Sequence, residues 1–437
     1  MNTDFDVAVV GGGPNGAITA ALLARFSALP AARIALIAPE FAAVAAAGGR
    51  ARVAHVPERA NARSPPELRV AAISRASEMV LHNADAWSRL PQDRLCAYQR
   101  MRVWHQSVPS DGPEVLEFSA AEVAEPNLGY IVENRALADA GLASFSAQGG
   151  RVLGVRVSGL EVDARAARLH TAEGKISCRL VVGADGARSQ IREFLKIPLR
   201  EHDYRQSAIV ATIATAQPHQ HTAWQRFLGS GPLALLPLFN GCCSIVWSAD
   251  NALAEELMAL SPEEFARRLD VASDRVLGAT RLVSERLTVA LRRATAATLI
   301  DTRAALVGDA AHVVHPLAGQ GVNLGFLDAA VLCDVVAAGI AEREDPGAAR
   351  LLTRYEQLRL THDTLMSWSM SAFNELFARG RGPGGWLAAR LLGLAGATGV
   401  ARRTFARRAL GLSGEVPRLA RRGQVARGAP PATAARC

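Results

Sequence analysis

At 437 residues the chain exceeds what one hydrophobic core usually organises, so two or three structural units are expected. Hydrophobic residues at 49% and charged residues at 21% exclude a disordered chain, and no run of about 18 or more apolar residues lacks charges, which argues against a spanning helix. The net charge of +8 is almost entirely arginine, with Lys175 and Lys196 the only lysines, and in so alanine-rich a chain this fits a genome-wide coding bias, so no nucleic-acid partner is inferred from it. The segment Met1 to Asp6 carries no basic stretch of the kind that opens a signal peptide, and the expected location is the cytoplasm. The six cysteines (Cys96, Cys178, Cys242, Cys243, Cys333 and Cys437) have no metal-ligand spacing and read as scattered buried thiols.

In chain order, Asp6 to Val10 is a short β-branched run that predicts a buried strand. Gly11 to Gly16 follows, then a small-residue helix from Ala17 to Phe26, then a second strand at Arg33 to Ile37. This order predicts a parallel sheet unit. Residues 39–67 read as a long loop, and Ser74 to Trp87 as a helix. The stretches 99–118 and 200–250 alternate and read as β-structure. Leu180 to Gly183 and Ala304 to Gly308 are further buried strands, each ending at glycine. Leu324 to Ala338 reads as a long apolar helix, and the chain from Pro346 onward as mostly helical. The fold class expected is α/β: a nucleotide-binding domain of Rossmann type, interrupted by a second β-sheet domain and followed by a C-terminal helical segment.

Three motifs carry chemistry. In Gly11-x-Gly13-x-x-Gly16, the first glycine permits a tight turn, the second lets the backbone approach a pyrophosphate, and the third lets helix pack on strand. A second copy, Gly380-x-Gly382-x-x-Gly385, has no strand before it and contains Pro383, so it reads as a loop. The acid expected at the end of the second strand is missing, since Ala38 stands there; Glu40 is the nearest carboxylate, either a ribose partner or a solvated loop glutamate. The other two motifs are Val182-Gly-Ala-Asp185-Gly186-Ala-Arg-Ser189 and the long stretch Gly308-Asp309-Ala-Ala-His312-Val-Val-His315-Pro316-Leu-Ala-Gly319-Gln320-Gly321-Val-Asn323-Leu-Gly325. In the long stretch a strand ends in Gly-Asp and a Gly-Gln-Gly turn leads into a helix, whose N-terminus can stabilise negative charge on a cofactor.

In this order the three motifs resemble those of the FAD-dependent aromatic-ring monooxygenases of the para-hydroxybenzoate hydroxylase fold. The long stretch is similar to the signature of the ubiquinone-biosynthesis hydroxylases. Arg69 to Ser77, Ile131 to Arg135, Gln225-Arg-Phe and Gly231 to Pro237 agree with it. The likeness runs from about residue 5 to about 420.

The resemblance implies discontinuous domains: an FAD-binding domain at 1–75, 128–190 and 285–345, a substrate domain at 76–127 and 191–284, and a C-terminal helical region at 346–437 whose tail, Gly423 to Cys437, reads as disordered. It implies that Gly11, Gly13 and Gly16 hold the FAD pyrophosphate, that Asp185 and Gly186 support FAD binding and NAD(P)H use, and that Asp309 binds the ribityl chain. Pro316, Gly319, Gln320, Gly321 and Asn323 would border the isoalloxazine ring. Arg69 and Arg135 match arginines near the flavin or its phosphates. His312 reads either as a catalytic base or as a structural residue of the motif, and His315 and Pro316 as pocket residues. Two departures stand out: Ala38 in place of the usual acid, and Ala290 where a proline is common before Leu291.

The activity implied is hydroxylation of the aromatic ring of a polyprenylated ubiquinone precursor with NAD(P)H and O2, through a flavin hydroperoxide. Neither a metal nor a catalytic serine or cysteine is called for. The alternatives are a flavin hydroxylase or reductase of secondary metabolism, and a flavin-binding scaffold of the ubiquinone biosynthetic complex. The implied partners are the polyprenyl phenol or quinone-precursor substrate and other ubiquinone-biosynthesis proteins. From Arg379 to Cys437 Glu415 is the only acid among many arginines, and Trp386 to Leu394 and Arg402 to Leu410 combine apolar and basic residues. That pattern reads either as peripheral contact with the inner membrane or as a helix packed on the protein's own body.

Overall fold

The computed structural model describes residues 3–41, 64–313, 321–360, 407 and 416–422. The expectations for His315, Pro316, Gly319, Gln320, the second glycine loop, Cys437 and most of the basic C-terminal segment lie outside those residues.

Five strands form a parallel core in the order Ala304–Leu306, Gly174–Gly183, Phe5–Val10, Ile34–Ile37 and Arg151–Leu153. Every residue of Phe5–Val10 and of Ile34–Ile37 is buried, as strands covered on both faces require. The helices Pro14–Phe26, Asn134–Ala147 and Gly321–Ala341 pack together against it. A Cβ on Gly141 would lie 3.0 Å from that of Ala17, so glycine there lets two of these helices approach closely. The helix Gly321–Ala341 is long and apolar enough, by length and composition, to cross a membrane, but most of it is buried inside the protein.

The second sheet runs His312–Val313, Leu287–Ala296, Leu199–Thr215, Cys243–Asp250, Gly231–Pro237, Thr222–Leu228, Arg100–His105 and Leu116–Ser119, with Thr280–Leu282 paired to Leu199–Thr215. All its pairings are antiparallel except that of Thr222–Leu228 with Arg100–His105. Side chains alternate between its faces. One face packs Ile209, Leu233, Leu235, Ile245 and Trp247 under the helices Asn251–Ala259 and Pro262–Ala272. The other packs Ala223, Phe227 and Leu236 against a small sheet of Val70–Ser74, Gly129–Glu133 and Cys96–Tyr98.

Two expected domain boundaries shift. The helix Arg75–Asn83 puts Val80 and Leu81 into the nucleotide core, so that core continues past residue 76. Leu287–Ala296 pairs along Leu199–Thr215 and belongs to the large antiparallel sheet, although 285–345 was expected in the nucleotide domain. Thr288, Val289 and Ala290 are all exposed and Arg292 and Arg293 are adjacent, so the stretch lacks the regular alternation that marks a strand. Cys96, Cys178, Cys243 and Cys333 are buried thiols, and Cys242 is half-buried.

Candidate functional site

The three motifs meet because their strands end at one edge of the parallel sheet. Gly11 N–H donates to Ile37 O, Ala184 N–H to Val10 O and Val307 N–H to Gly183 O, at 2.8–2.9 Å. This is the carboxyl edge, where open α/β sheets bind ligands. Gly11 has φ +119°, and a Cβ there would lie 2.3 Å from Ala184 O. A Cβ on Gly16 would lie 2.0 Å from Gly11 O, so both glycines are required by backbone contact. Gly13 differs: a Cβ there would meet nothing within 4 Å. It is the N-cap of Pro14–Phe26, with no side-chain cap and no acid in the first turn. Uncapped helix N–H groups facing open space suit an anion such as a pyrophosphate.

Glu40 resolves the departure at Ala38. It sits in a single 3-10 turn, Pro39–Phe41, and a Cβ on Gly12 would lie 2.4 Å from its Oε1. The carboxylate therefore lies over the glycine loop although it starts beyond the strand.

Asn15 joins the first motif to the third. A Cβ on Gly308 would lie 2.2 Å from Asn15 Nδ2, and one on Gly325 2.3 Å from it. Both glycines thus make room for one amide, whose Oδ1 is buried and has no hydrogen-bond partner among the described residues. Gly308 also needs φ +62°. Beside it, Asp309 is solvent-exposed, yet desolvation by surrounding protein raises its pKa, with His312 opposing and Asp328 adding to the rise. Exposure together with desolvation fits a carboxylate lining a cleft.

Asp185 is occupied locally. It accepts from Ser189 Oγ, from Gln190 N–H at 2.7 Å and from Ile191 N–H at 3.1 Å, capping the short helix Gln190–Phe194. It shapes the loop around Gly186, where φ is +81° and a Cβ would meet nothing within 4 Å. Arg192 of that helix donates to Ala310 O at 3.0 Å, tying the second motif to the third.

Arg69 and Arg135 are brought together, since Asn134 N–H donates to Arg69 O at 3.0 Å. Both are exposed, and Arg135 lies 3.7 Å from Asp139. Asn323 is buried: its Oδ1 accepts from Ser74 N–H at 2.9 Å and its Nδ2 donates to Ala72 O at 2.8 Å. It thereby clasps the small sheet to the helix Gly321–Ala341. Gly321, at that helix's start, has open space beside its Cα. His312 is buried, and its Nε2 lies 2.8 Å from Asp328 Oδ2, which favours the structural reading over the catalytic base.

Sequence reasoning passed over Asn15, Asp328 and a set on the large sheet. Leu236 faces the small sheet; Ser244 is its register partner and Thr212 is the partner of Ser244. Gln225 lies between Ala223 and Phe227 on the same face. Among the described residues Gln225 Oε1, Thr212 Oγ1 and Ser244 Oγ are all buried without a hydrogen-bond partner. A buried unmet polar atom costs about 1–3 kcal/mol, so each of the three calls for a partner, as do the indole N–H groups of Trp104, Trp224 and Trp247 in the same sheet.

These features fit FAD. The uncapped helix start with room at Gly13, the carboxylate over Gly12, the orphaned Asn15 oxygen and the cleft-lining Asp309 form a continuous run of donors and acceptors suited to a dinucleotide. The family described as FAD binding domain matches residues 132–367. A ubiquinone hydroxylase, UbiL, of Rhodospirillum rubrum is 38% identical over 321 residues, covering 72% of this chain and 74% of the relative. The 3-demethoxyubiquinol 3-hydroxylase of Escherichia coli is 32% identical over 363 residues, 80% of this chain and 88% of the relative. The mitochondrial ubiquinone biosynthesis monooxygenase COQ6 of Drosophila melanogaster is 31% identical over 417 residues, 86% and 83% of the two chains. Among solved structures, p-nitrophenol 4-monooxygenase PnpA of Pseudomonas putida superposes with TM-score 0.72 at 18% identity, over 95% of this chain and 100% of that one, a likeness of fold.

Proposed function

The chain belongs to the FAD-dependent hydroxylases that include the ubiquinone-biosynthesis enzymes, and from that premise we propose that it hydroxylates the ring of a polyprenylated ubiquinone precursor, with NAD(P)H and O2 as co-substrates. The observation that carries this reading is the meeting of all three motifs at one edge of the parallel sheet. Bound FAD supplies the chemistry, taking electrons from NAD(P)H and activating O2 for transfer of one oxygen atom to the ring.

The chain's own residues bind, orient and exclude water. The N–H groups after Gly13 hold the pyrophosphate, Glu40 the adenosine ribose, and Asp309 and Asn15 the ribityl hydroxyls. Gln225, Thr212 and Ser244 orient the oxygen substituents of the substrate ring, while Ala223, Phe227 and Leu236 keep that face dry. Small apolar neighbours such as Ala234 leave the face flat enough for a ring.

The test uses purified, flavin-loaded protein with NAD(P)H and prenylated phenol precursors, the products identified by mass. Reading and result agree if a ring hydroxyl appears, coupled to NAD(P)H oxidation. Reduction of the substrate, or no turnover of any precursor, would replace this reading by a reductase or a flavin-binding scaffold.

Membrane contact by the arginine-rich C-terminal segment is part of the same proposal, because a polyprenyl substrate resides in lipid. Residues 416–422 dock on the nucleotide core: Leu419 is buried, Asn83 Nδ2 donates to Leu419 O at 2.7 Å, and Arg418 pairs with Asp334 at 3.0 Å. A truncation ahead of them would strip core contacts. The test is therefore neutralisation of Arg402, Arg403, Arg407 and Arg408 to glutamine, with sedimentation on anionic liposomes. Weaker, less salt-sensitive binding is expected; binding equal to that of the unaltered protein would remove the segment from the contact.

A further inference from the structure

Asp328 lies in the second turn of the apolar helix Gly321–Ala341, and its carboxylate is fully buried. A charge in such a place persists only if donors surround it. Three segments supply them. Gly308 N–H donates to Oδ2 at 2.8 Å, His312 Nε2 lies 2.8 Å from the same oxygen, and the buried Arg359 donates from Nε to Oδ1. Burial by itself would raise the carboxyl pKa, but Arg359, His312 and the Gly308 N–H outweigh it and bring it down to about 2.

The donors are not scattered. Gly308 and His312 flank the turn that presents Asp309, and Gly308 also seats Asn15. Arg359 stands in the helical stretch 349–360, which is further fixed by the bond from Tyr355 Oη to Leu306 O at 2.7 Å, on the strand that leads into the turn. One carboxylate therefore holds both ends of the flavin-facing turn and the helix behind it.

We propose that Asp328 is the positioning residue of the cofactor site: it clasps Gly308 N–H and His312, and with them the turn on which the Asn15 amide is seated, so that Asp309 is presented in the geometry FAD needs. The proposal rests on the assignment of this edge to FAD. It predicts that the clasp contributes to FAD affinity separately from its contribution to folding.

Two paired variants separate these roles. D328N/R359M removes both buried charges and leaves an amide oxygen to accept from Gly308 N–H. D328L/R359M removes both charges and the acceptor. Replacing a buried ion pair by apolar groups of similar volume is often tolerated. For each deflavinated protein, the melting temperature and the FAD dissociation constant, from quenching of flavin fluorescence, are measured. The expected result is FAD affinity within about threefold of the unaltered protein for D328N/R359M, and about tenfold weaker for D328L/R359M, the weight of about one net hydrogen bond. D328L/R359M leaves the buried Gly308 N–H without an acceptor and should melt lower than D328N/R359M, so the affinities are compared at a temperature where both apoproteins are fully folded. If D328L/R359M fails to fold, D328S/R359M, whose hydroxyl is too short to reach Gly308, makes the same comparison. Equal FAD affinities in the two variants, measured where both apoproteins are fully folded, would overturn the proposal. If the unaltered apoprotein does not bind FAD at all, the cofactor assignment fails instead, which is a distinguishable result.

Discussion

The two large sheets place function in different ways. In the parallel sheet the functional groups lie at strand ends, where Gly11, Ala184 and Gly308 stop three neighbouring strands at one edge. In the antiparallel sheet the groups proposed to face the substrate lie on a face, where Gln225, Thr212 and Ser244 come from three strands and are gathered only by register. A strand-end site is built largely from backbone and depends on glycines. A face site is built from side chains and tolerates change in the backbone's sequence. The first should therefore fail by losing the cofactor, and the second by losing substrate turnover with the cofactor retained.

The largest effect expected is that of Gly11→Val. With φ at +119° and a Cβ 2.3 Å from Ala184 O, any side chain displaces the strand edge itself. We expect more than about 4 kcal/mol of destabilisation and colourless protein, read by chemical denaturation and flavin content. Retained FAD and near-normal stability would show that the loop is not seated as described. Asp309→Ala comes next. It removes the hydrogen bonds of a cleft-lining carboxylate, worth about 1.5–3 kcal/mol when charged, and should weaken FAD binding about ten- to a hundredfold while the fold persists. Titration of deflavinated protein decides it, and an unchanged dissociation constant would take Asp309 out of the site.

The face site predicts smaller and different losses. Gln225→Leu should lower kcat/KM about three- to tenfold, the weight of one neutral hydrogen bond, with FAD content unchanged. Thr212→Val carries a sharper signature, because its hydroxyl is unmet in the free protein. Here activity should fall while stability holds or rises by about 1 kcal/mol. A drop in both would show that the hydroxyl serves packing, and the contrast between the sheets would collapse.

The smallest effect concerns pH. Desolvation raises the pKa of Asp309, so the apoprotein disfavours its charged form. A raised carboxyl pKa means lower stability above that pKa and no penalty below the unfolded value. Asp309→Asn should therefore melt slightly higher than the unaltered apoprotein at neutral pH. The gap should close as pH falls through the native pKa of Asp309 towards the unfolded carboxylate range near 4. A gap that widens on acidification would contradict the sign.

The same contrast explains what could be read from the sequence. Gly11, Gly13 and Gly16 were legible because a strand, a tight turn and a helix are local; Gly11 and Gly16 answer to a nearby backbone atom, and Gly13 to open space at the helix start. Asp309 and the Gly308 turn were legible for the same reason. Asp185 was legible as a turn acid, but its capping of Gln190–Phe194 needed the geometry of Ser189 and the following N–H groups. Glu40 stayed ambiguous because a 3-10 turn bends it back over Gly12. Asp328 did leave a signal: an isolated carboxylate amid Leu324, Phe326, Leu327 and Ala329 must have partners. Those partners lie 16 to 31 residues away, so the sequence could not name them. Gln225 stood in a segment that agreed with the family, but its neighbours on the face could not be named, and Thr212 and Ser244 left no signal, since alternation marks a strand's two faces without saying which strands share one.

The central claim, oxygen transfer to an aromatic ring by a flavin-loaded enzyme, is tested most directly with isotopically labelled O2. Flavin-loaded protein, NAD(P)H and a prenylated phenol precursor should give a product carrying one labelled oxygen atom on the ring, with no conversion when O2 is withheld. Full conversion under strict anaerobiosis, or a product oxygen drawn from water, would contradict it.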